Sequence, residues 1–509
     1  MGKRLIALSL ACFIFLAGCD STAEQPSAQP EPTPTPSAQP TAADFTLPYQ
    51  PNASLHPITG NNKTNLAFSS LVYQGLFELD NTFTPHGVLC SGQSSDASGL
   101  IWTLSLAEAF FSDGSAVTAD DVVRSLTMAR SSELYAPRFR DIQSIAANDI
   151  STVTITLSRP NSALPSLLDI PIIRDSGDGS MPLGSGPYRF VESDGPLHLL
   201  RTPSAPENVP EKIFLYPVTA ADELIYSFDA GEVSMVVSDL TGANALGYSS
   251  GYETFDYPTT TMLYVGFQTS WGACSNTMIR RALSLCFDRE TVSDSLLAGH
   301  ADPTCLPFSP RCSLHSETYE QQGSYDPDGA TQLLSDAGYT SGEDGLLYRY
   351  GAPLSITFIV NTDNPFKVTI AEYLADELTQ LGIAVELKKL SWDDYMYALN
   401  YGLFDLYLGE VALTADFDLT PLLEPAGGLN YGRYFNPETS GLLNTLRACS
   451  KEDLSSAVDA FLAQFNADCP LAPLCFKAHS VLTQWQTLSG LNPTRQNPFY
   501  QLESLRFRA

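Results

Sequence analysis

Basic residues are scarce in this chain: 27 Lys and Arg stand against 57 Asp and Glu, a formal net charge of −30. A surface of that sign repels nucleic acid and anionic lipid, so neither is expected as a partner. Histidine is thin as well. The six present (His56, His86, His198, His300, His315 and His479) lack metal-ligand spacing, and no Cys-x-x-Cys pair occurs. A structural zinc is therefore not expected, nor any cofactor or protein-bound metal. No apolar run beyond the N-terminus reaches the roughly 20 residues that span a bilayer, and no fixed-period repeat runs along the chain. A nucleophile is equally hard to find. Gly247-Tyr248-Ser249-Ser250-Gly251 spells G-x-S-x-G, but that elbow needs a strand before it and a helix after it. Here Asn244-Ala245-Leu246 precedes and a strand-like stretch ending at Pro258 follows, so a Gly/Ser loop is expected and no enzyme.

What is present starts at the N-terminus. Lys3 and Arg4 precede LIALSLACFIFLAG, an apolar segment of signal-peptide length. It ends in Leu16-Ala17-Gly18-Cys19, which resembles a bacterial lipobox. Residues 1–18 are thus expected to be cleaved and Cys19 to carry lipid. Residues 19–43 are rich in Pro, Ser, Thr, Gln and Ala. They hold too little apolar surface to offset ordering entropy, and read as an extended spacer. That order places the folded body outside the cell, tethered to the outer face of the cytoplasmic membrane.

Setting aside Cys12 and Cys19, eight cysteines remain. An even count outside the cytoplasm permits disulfides, with Cys305–Cys312 and Cys469–Cys475 as the local candidates. Cys286, inside ALSLCF, reads instead as a small buried hydrophobe.

The remaining length suits two or three domains, and strand-like and helix-like segments alternate, which argues for an α/β architecture. Residues 67–79 read as a helix running through Gly75 into a strand. Ile101–Leu106 and Thr152–Leu157 alternate with period two. Thr118 with Asp121 three residues on resembles a capping box before VVRSLTMAR. Helices are expected over 279–287, over 327–337 with Gly338 as cap, and over 371–381 with Gly382 as cap, followed by a strand at 383–387.

Five segments, in order, resemble the peptide/nickel-type ABC-transporter solute-binding proteins, extracellular family 5. They are FFSDGSAVTADDVVRSL (110–126), Gly184-Ser185-Gly186-Pro187-Tyr188, Ile279-Arg280-Arg281-Ala282-Leu283 through Asp288-Arg289, Tyr325-Asp326-Pro327 through Tyr339, and Trp392 with Phe404-Asp405-Leu406. The resemblance implies an α/β, two-lobed, periplasmic-binding-protein-like fold (type II, peptide-binding class) with a hinge. It implies a first lobe over 44–262 with a return at 475–509, a small subdomain within about 70–180, and a second lobe over 263–474. It also implies capture of a peptide or peptide-like cationic solute by hinge closure, delivery to an ABC permease and ATPase complex, and a monomeric state. A nickel or other metal chelate is the alternative cargo. A sensor or interaction lipoprotein on the same fold is the alternative of another class.

In peptide-binding members an aspartate past the "FD" strand meets the solute's ammonium group. Asp416, in Ala415-Asp416-Phe417, resembles that element, and a register two residues longer leaves Glu410 and Asp418 as further candidates. Trp392 and Tyr264 are expected as aromatic walls of the cleft. Tyr407-Leu408 stands where some members carry a basic residue for a peptide carboxylate.

Overall fold

The computed structural model describes residues 45–507, apart from 176, 178–180, 193–194 and 250. The expected signal peptide, Cys19 and the spacer lie outside the described residues.

The architecture turns on two long strands, Tyr252–Phe267 and Leu471–Gln484, paired antiparallel along nearly their whole length. They sit in a seven-stranded mixed sheet whose path runs Met235–Ser238, Leu471–Gln484, Tyr252–Phe267, Leu406–Ala412, Ser355–Asn361, Ala384–Leu390, with Ala301–Pro303 on the side of Leu471–Gln484. Period-two alternation gives each strand two apolar faces. Leu263, Val265, Phe267, Leu406 and Leu408 belong to one core, whereas Met262, Tyr264 and Tyr407 belong to the core behind the sheet. Helices cover both faces. Pro365–Gln380 packs Ile370, Leu374 and Leu378 on the first, and Leu454–Asp468 packs Phe461 and Phe465 on the second. This is the helix–sheet–helix layering expected of a sheet that is apolar on both sides.

A separate core draws on residues 45–257 and 481–505. It holds a four-stranded sheet (Thr46–Tyr49, Lys212–Pro217, His198–Arg201, Tyr188–Val191) and a second four-stranded sheet (Cys90–Ser95, Ile101–Leu106, Thr152–Leu157, Ile142–Ala147) beside the helix Ala119–Arg130. The two long strands therefore serve both bodies. Between them the ladder breaks register at Pro258/Met262, where Thr259 donates to Lys477 O at 2.7 Å and Thr260 to Leu413 O at 2.6 Å.

Local signals account for many element ends. Thr118 and Asp121 form the capping box, and Gly338 takes φ +87° beyond Pro327–Asp336. The helix expected from 371 begins at Pro365, because Asn364 accepts from Phe366 N as its N-cap and proline fits the first turn. Residues 67–79 are not one helix. A short helix Lys63–Leu66, a 3-10 turn Ser69–Leu71 and the strand Phe77–Leu79 replace it, and Gly75 bridges to Pro171. The two candidate disulfides do not form: all eight described cysteines are free. Cys305, Cys312, Cys469 and Cys475 are packed in apolar cores. Burial raises the first two and Cys475 to about 12 and Cys469 to about 11, so these thiols are inert at neutral pH.

Tyrosine and glycine interlock reciprocally across one strand pair. Tyr264 faces Gly409 and Gly266 faces Tyr407 in the ladder. The two rings meet edge-on, with centroids 5.7 Å apart. A Cβ on Gly409 would lie 2.6 Å from Tyr264 Cζ, and one on Gly266 would overlap the Tyr407 ring. Tyr407 is 4% exposed and has nowhere to swing. Gly266→Ala is expected to destabilise by about 1–3 kcal/mol in urea unfolding, the cost of overpacking a dense core. An unchanged midpoint would show that the ring has room to move.

Candidate functional site

A cavity of about 1170 Å³ opens within the first body. Its walls come from residues 66–88, 108–114, 134–138, 169–171, 185–187, 202–206 and the tail segment 495–503. The tail reaches it through a tight turn. Thr494 N donates to Asn497 O at 3.0 Å and Asn497 N to Thr494 Oγ1 at 3.3 Å, and prolines 493 and 498 flank it. Arg495 and Gln496 occupy the two central positions. Asn497 ties the turn to the opposite wall, where it accepts from Ser70 Oγ at 2.8 Å and donates to Glu78.

The cavity lining carries both signs of charge. Asp169, 2% exposed at its side chain, pairs with Arg138 and lies 3.4 Å from Arg495 Nη2. Arg138 also lies over the Tyr135 ring, 4.9 Å from its centroid. Two guanidinium groups thus share one carboxylate. Burial lowers Arg495 to about 10; Asp169 opposes that and Arg138 adds to it, so Arg495 stays charged at neutral pH. Elsewhere on the lining, burial raises Glu78 above the usual carboxylate range, against the Asn497 hydrogen bond and with the help of Glu503.

Arg138 also borders a much smaller gap, of about 20 Å³, where residues 137–167 meet 414–418 and Arg447. This is a charged seam between the two bodies. Arg140 Nη1 lies 2.7 Å from Asp418 Oδ2, and Arg447 Nη1 lies 2.9 Å from the same oxygen. Arg447 pairs as well with Asp141, which Arg159 meets at 3.1 Å. Asn161 Nδ2 donates to Asp416 Oδ2 at 2.9 Å, and Ser162 N to Arg447 O at 2.8 Å. Between the two acids, Phe417 takes φ +52°, a conformation costing about 1–2 kcal/mol for a non-glycine residue. Its ring turns inward against Phe83 (5.1 Å) and Phe476 (5.8 Å), and both flanking acids engage the seam. Burial pushes Asp418 up, but Arg447, Thr420 and Arg140 outweigh it and hold the carboxyl low. Asp416 goes the other way, raised by burial and by Asp418.

Glu410 belongs to a third cluster, beside the register break. Lys367 Nζ lies 3.3 Å from its carboxylate and Lys477 Nζ 4.0 Å. Lys477, only 2% exposed, reaches Asp239 at 3.0 Å, and His479 Nε2 lies 3.6 Å from Asp239. Tyr264 is 3% exposed, locked over Gly409. Trp392 starts the helix Trp392–Tyr401, is 52% exposed, and lies 6.1 Å from Tyr395. The structure thus brings Asp416 and Asp418 together and leaves Glu410, Tyr264 and Trp392 apart from them; none of the five lines the large cavity. Among the described residues no group of three or more His, Cys, Asp or Glu could hold a metal ion. No helix among them is long and apolar enough to cross a membrane.

The opposite shifts of the two seam acids give a test. A carboxyl whose folded pKa is raised contributes stability below its unfolded value, near 3.9, and loses it as pH rises through the folded value. Asp416→Asn keeps an oxygen for Asn161 Nδ2, turns its amide N–H towards Thr414 Oγ1, which can accept, and removes that loss. At pH 7 the variant is expected to melt at or above the wild-type temperature, with the gap closing towards pH 4. A lower melting temperature at pH 7 would mean that the ionised carboxylate is the stabilising form.

Sequence reasoning missed the Arg138–Asp169–Arg495 group and Gln496, whose members are 31 and 326 residues apart in pairs. The one local signal was the proline-bracketed Asn492-Pro493-Thr494-Arg495-Gln496-Asn497-Pro498, which marks a turn but not what it faces. Comparison with known proteins agrees with the architecture. The chain is 24% identical over 355 residues to the glutathione-binding protein GsiB of Salmonella typhi, covering 66% of this chain and 67% of that one. It is 22% identical over 426 residues to the oligopeptide-binding protein AppA of Bacillus subtilis, covering 77% and 78%. An ABC transporter substrate-binding protein from Sinorhizobium meliloti superposes with a TM-score of 0.74 at 17% identity, over 92% of this chain and all of that one. The fold is the two-lobed, mixed helix-and-sheet type of these binding proteins. The model of the bacterial extracellular solute-binding proteins, family 5, matches residues 84–429, more than half the chain, and the chain belongs to that family.

Proposed function

We propose that this protein is the solute-binding component of an ABC importer. In this reading it captures a peptide or peptide-like solute and hands it to a permease and ATPase complex. The observation that carries the reading is the cavity of about 1170 Å³ with both signs of charge on its walls, in a two-lobed fold whose lobes share two long strands. That volume lies just above the top of the roughly 300–1,000 Å³ range of small-molecule sites and leaves room for an extended, charged cargo. The relatives named for glutathione and oligopeptide binding support the same class of solute.

The first lobe comprises 44–262 with 475–509, and the second 263–474, with motion at the register break between Pro258 and Met262. Asp416 and Asp418 serve closure, holding the second lobe to the subdomain through Asn161, Arg140 and Arg447, and leave solute contact to the cavity wall. Glu410 holds the region of the break through Lys367 and Lys477. The protein is a monomer without catalytic activity, tethered through Cys19 outside the cytoplasmic membrane.

The experiment is isolation of the full chain from the producing cell and mass spectrometry of what it retains, paired with peptide uptake by a deletion strain. Retained peptides and lost uptake are expected. Intact uptake with only non-peptide solutes on the protein would overturn the peptide reading.

A further inference from the structure

Two side chains on the cavity wall have hydrogen-bonding groups that the protein itself leaves unused. Arg495 Nε is buried without a partner, and so are both Nε2 and Oε1 of Gln496. Orphaned buried polar atoms are rare in folded proteins, because each forfeits hydration without replacement. Both residues lie in the cavity lining, at the centre of the turn that Thr494 and Asn497 brace. The bracing holds their backbone before any solute arrives, the condition under which a site loses little ordering entropy on binding.

Charge narrows what could fill these vacancies. Arg138 and Arg495 share a single carboxylate, Asp169, so one positive charge is uncompensated at this end of the cavity. Asp169 is held mainly by Arg138, and its contact with Arg495 is long at 3.4 Å. The free Nε–H of Arg495, on a guanidinium whose Nη2 already faces Asp169, is a charge-assisted donor of the kind a carboxylate accepts. The neighbouring amide of Gln496 offers a donor nitrogen and an acceptor oxygen, the complement of a peptide group. A carboxylate preceded by an amide satisfies all three atoms and balances the charge; an ammonium group has no acceptor for Arg495, and an uncharged sugar can hydrogen-bond but leaves the positive charge unbalanced.

We infer that Arg495 and Gln496 form the anchor for the carboxylate-bearing end of the solute, so that the protein selects peptide-like cargo with a free terminal acid. This rests on the reading of the cavity as the solute site, and it supplies the basic group that the position of Tyr407-Leu408 lacks.

The test uses the full chain and two random tripeptide-to-pentapeptide libraries, identical except that one ends in the free acid and the other in the carboxamide. Native mass spectrometry and calorimetry on recovered members read the binding. Free-acid peptides are expected to bind at least tenfold tighter than their amides. Arg495→Gln and, separately, Gln496→Leu are expected to cut that ratio below threefold. Gln496 has no partner within the protein to lose, so its variant keeps the test open if Arg495→Gln fails to fold. Equal binding of the two libraries, or an unchanged ratio in either folded variant, overturns the anchor and leaves the importer reading standing. Binding of neither library removes peptide capture and the anchor together.

Discussion

Arg447→Leu is expected to lower the unfolding free energy by about 3–5 kcal/mol at pH 7, the cost of removing one partner from a buried charge network. The side chain is 9% exposed and stands between Asp141 and Asp418, whose side chains are 14% and 8% exposed. Without it Asp418 keeps Thr420 but only one cation, Arg140, 42% exposed at its side chain, and Asp141 keeps Arg159. Asp416 stays close behind with its own burial penalty. A leucine fills the space but leaves three carboxylates crowded at a seam that water barely enters. Asp418→Asn placed on top of Arg447→Leu is expected to restore a substantial part of the loss, because it removes the charge that the arginine balanced. Urea unfolding of the two single variants and the double variant closes the cycle. A loss under about 1 kcal/mol for Arg447→Leu, the size typical of an exposed pair, would place the seam in effective contact with solvent.

The second large effect belongs to Lys477. Its ammonium is 2% exposed on Leu471–Gln484 and lies 3.0 Å from Asp239 and 4.0 Å from Glu410. Lys477→Met keeps the stem and removes the charge. A loss of about 3 kcal/mol is expected, at the low end for a buried pair because Asp239 and Glu410 are 23% and 25% exposed and keep some hydration. The pH dependence carries a sign. Burial pushes Asp239 up, but His479 and Lys477 outweigh it and hold the carboxyl far below the usual range. A depressed carboxyl contributes stability above its unfolded value, near 3.9, and that contribution is lost as pH falls towards the folded value. In Lys477→Met the depression shrinks. The fall in melting temperature between pH 4 and the acid limit should then be shallower than in wild type. An identical acid limb in both proteins would assign the depression of Asp239 to His479 alone.

How much of this was legible in the sequence depends on the range of the interaction. Caps and turns were, because their partners are three or four residues away: Thr118 with Asp121, and Gly338 beyond its helix. The Gly184-Ser185-Gly186 segment was recognisable too, and its glycines have a physical cause, since a Cβ on either would press into the backbone of Val72. The family could be recognised because such short-range requirements recur in fixed order. The roles of the acids could not. Asp416 and Asp418 look alike in sequence, yet burial and Asp418 raise the first against a bond from Asn161, 255 residues away, while Arg447, Thr420 and Arg140, the last from 278 residues away, hold the second low. The disulfide expectation failed for a related reason. Five or six residues between cysteines says nothing about whether each sulfur faces its mate or an apolar core. Tyr264 was singled out as an aromatic on a strand, but the glycine beneath it lies on another strand, 145 positions later.

The placement of the separate core relative to those of the seven-stranded sheet also bears on how the protein folds as it emerges from the membrane. The first core needs Tyr257 and Val481 together, with 223 residues of chain between them (481 − 257 − 1). In a chain exported N-terminus first, the N-terminal half waits for that whole length to cross before its last strand arrives. The second core, nested inside that interval, has all its residues by Cys475, so the body that starts later in the sequence can finish earlier. During that wait Met235–Ser238 and Tyr252–Phe267 lack the strand they pair with, a period in which a holding chaperone has something to bind.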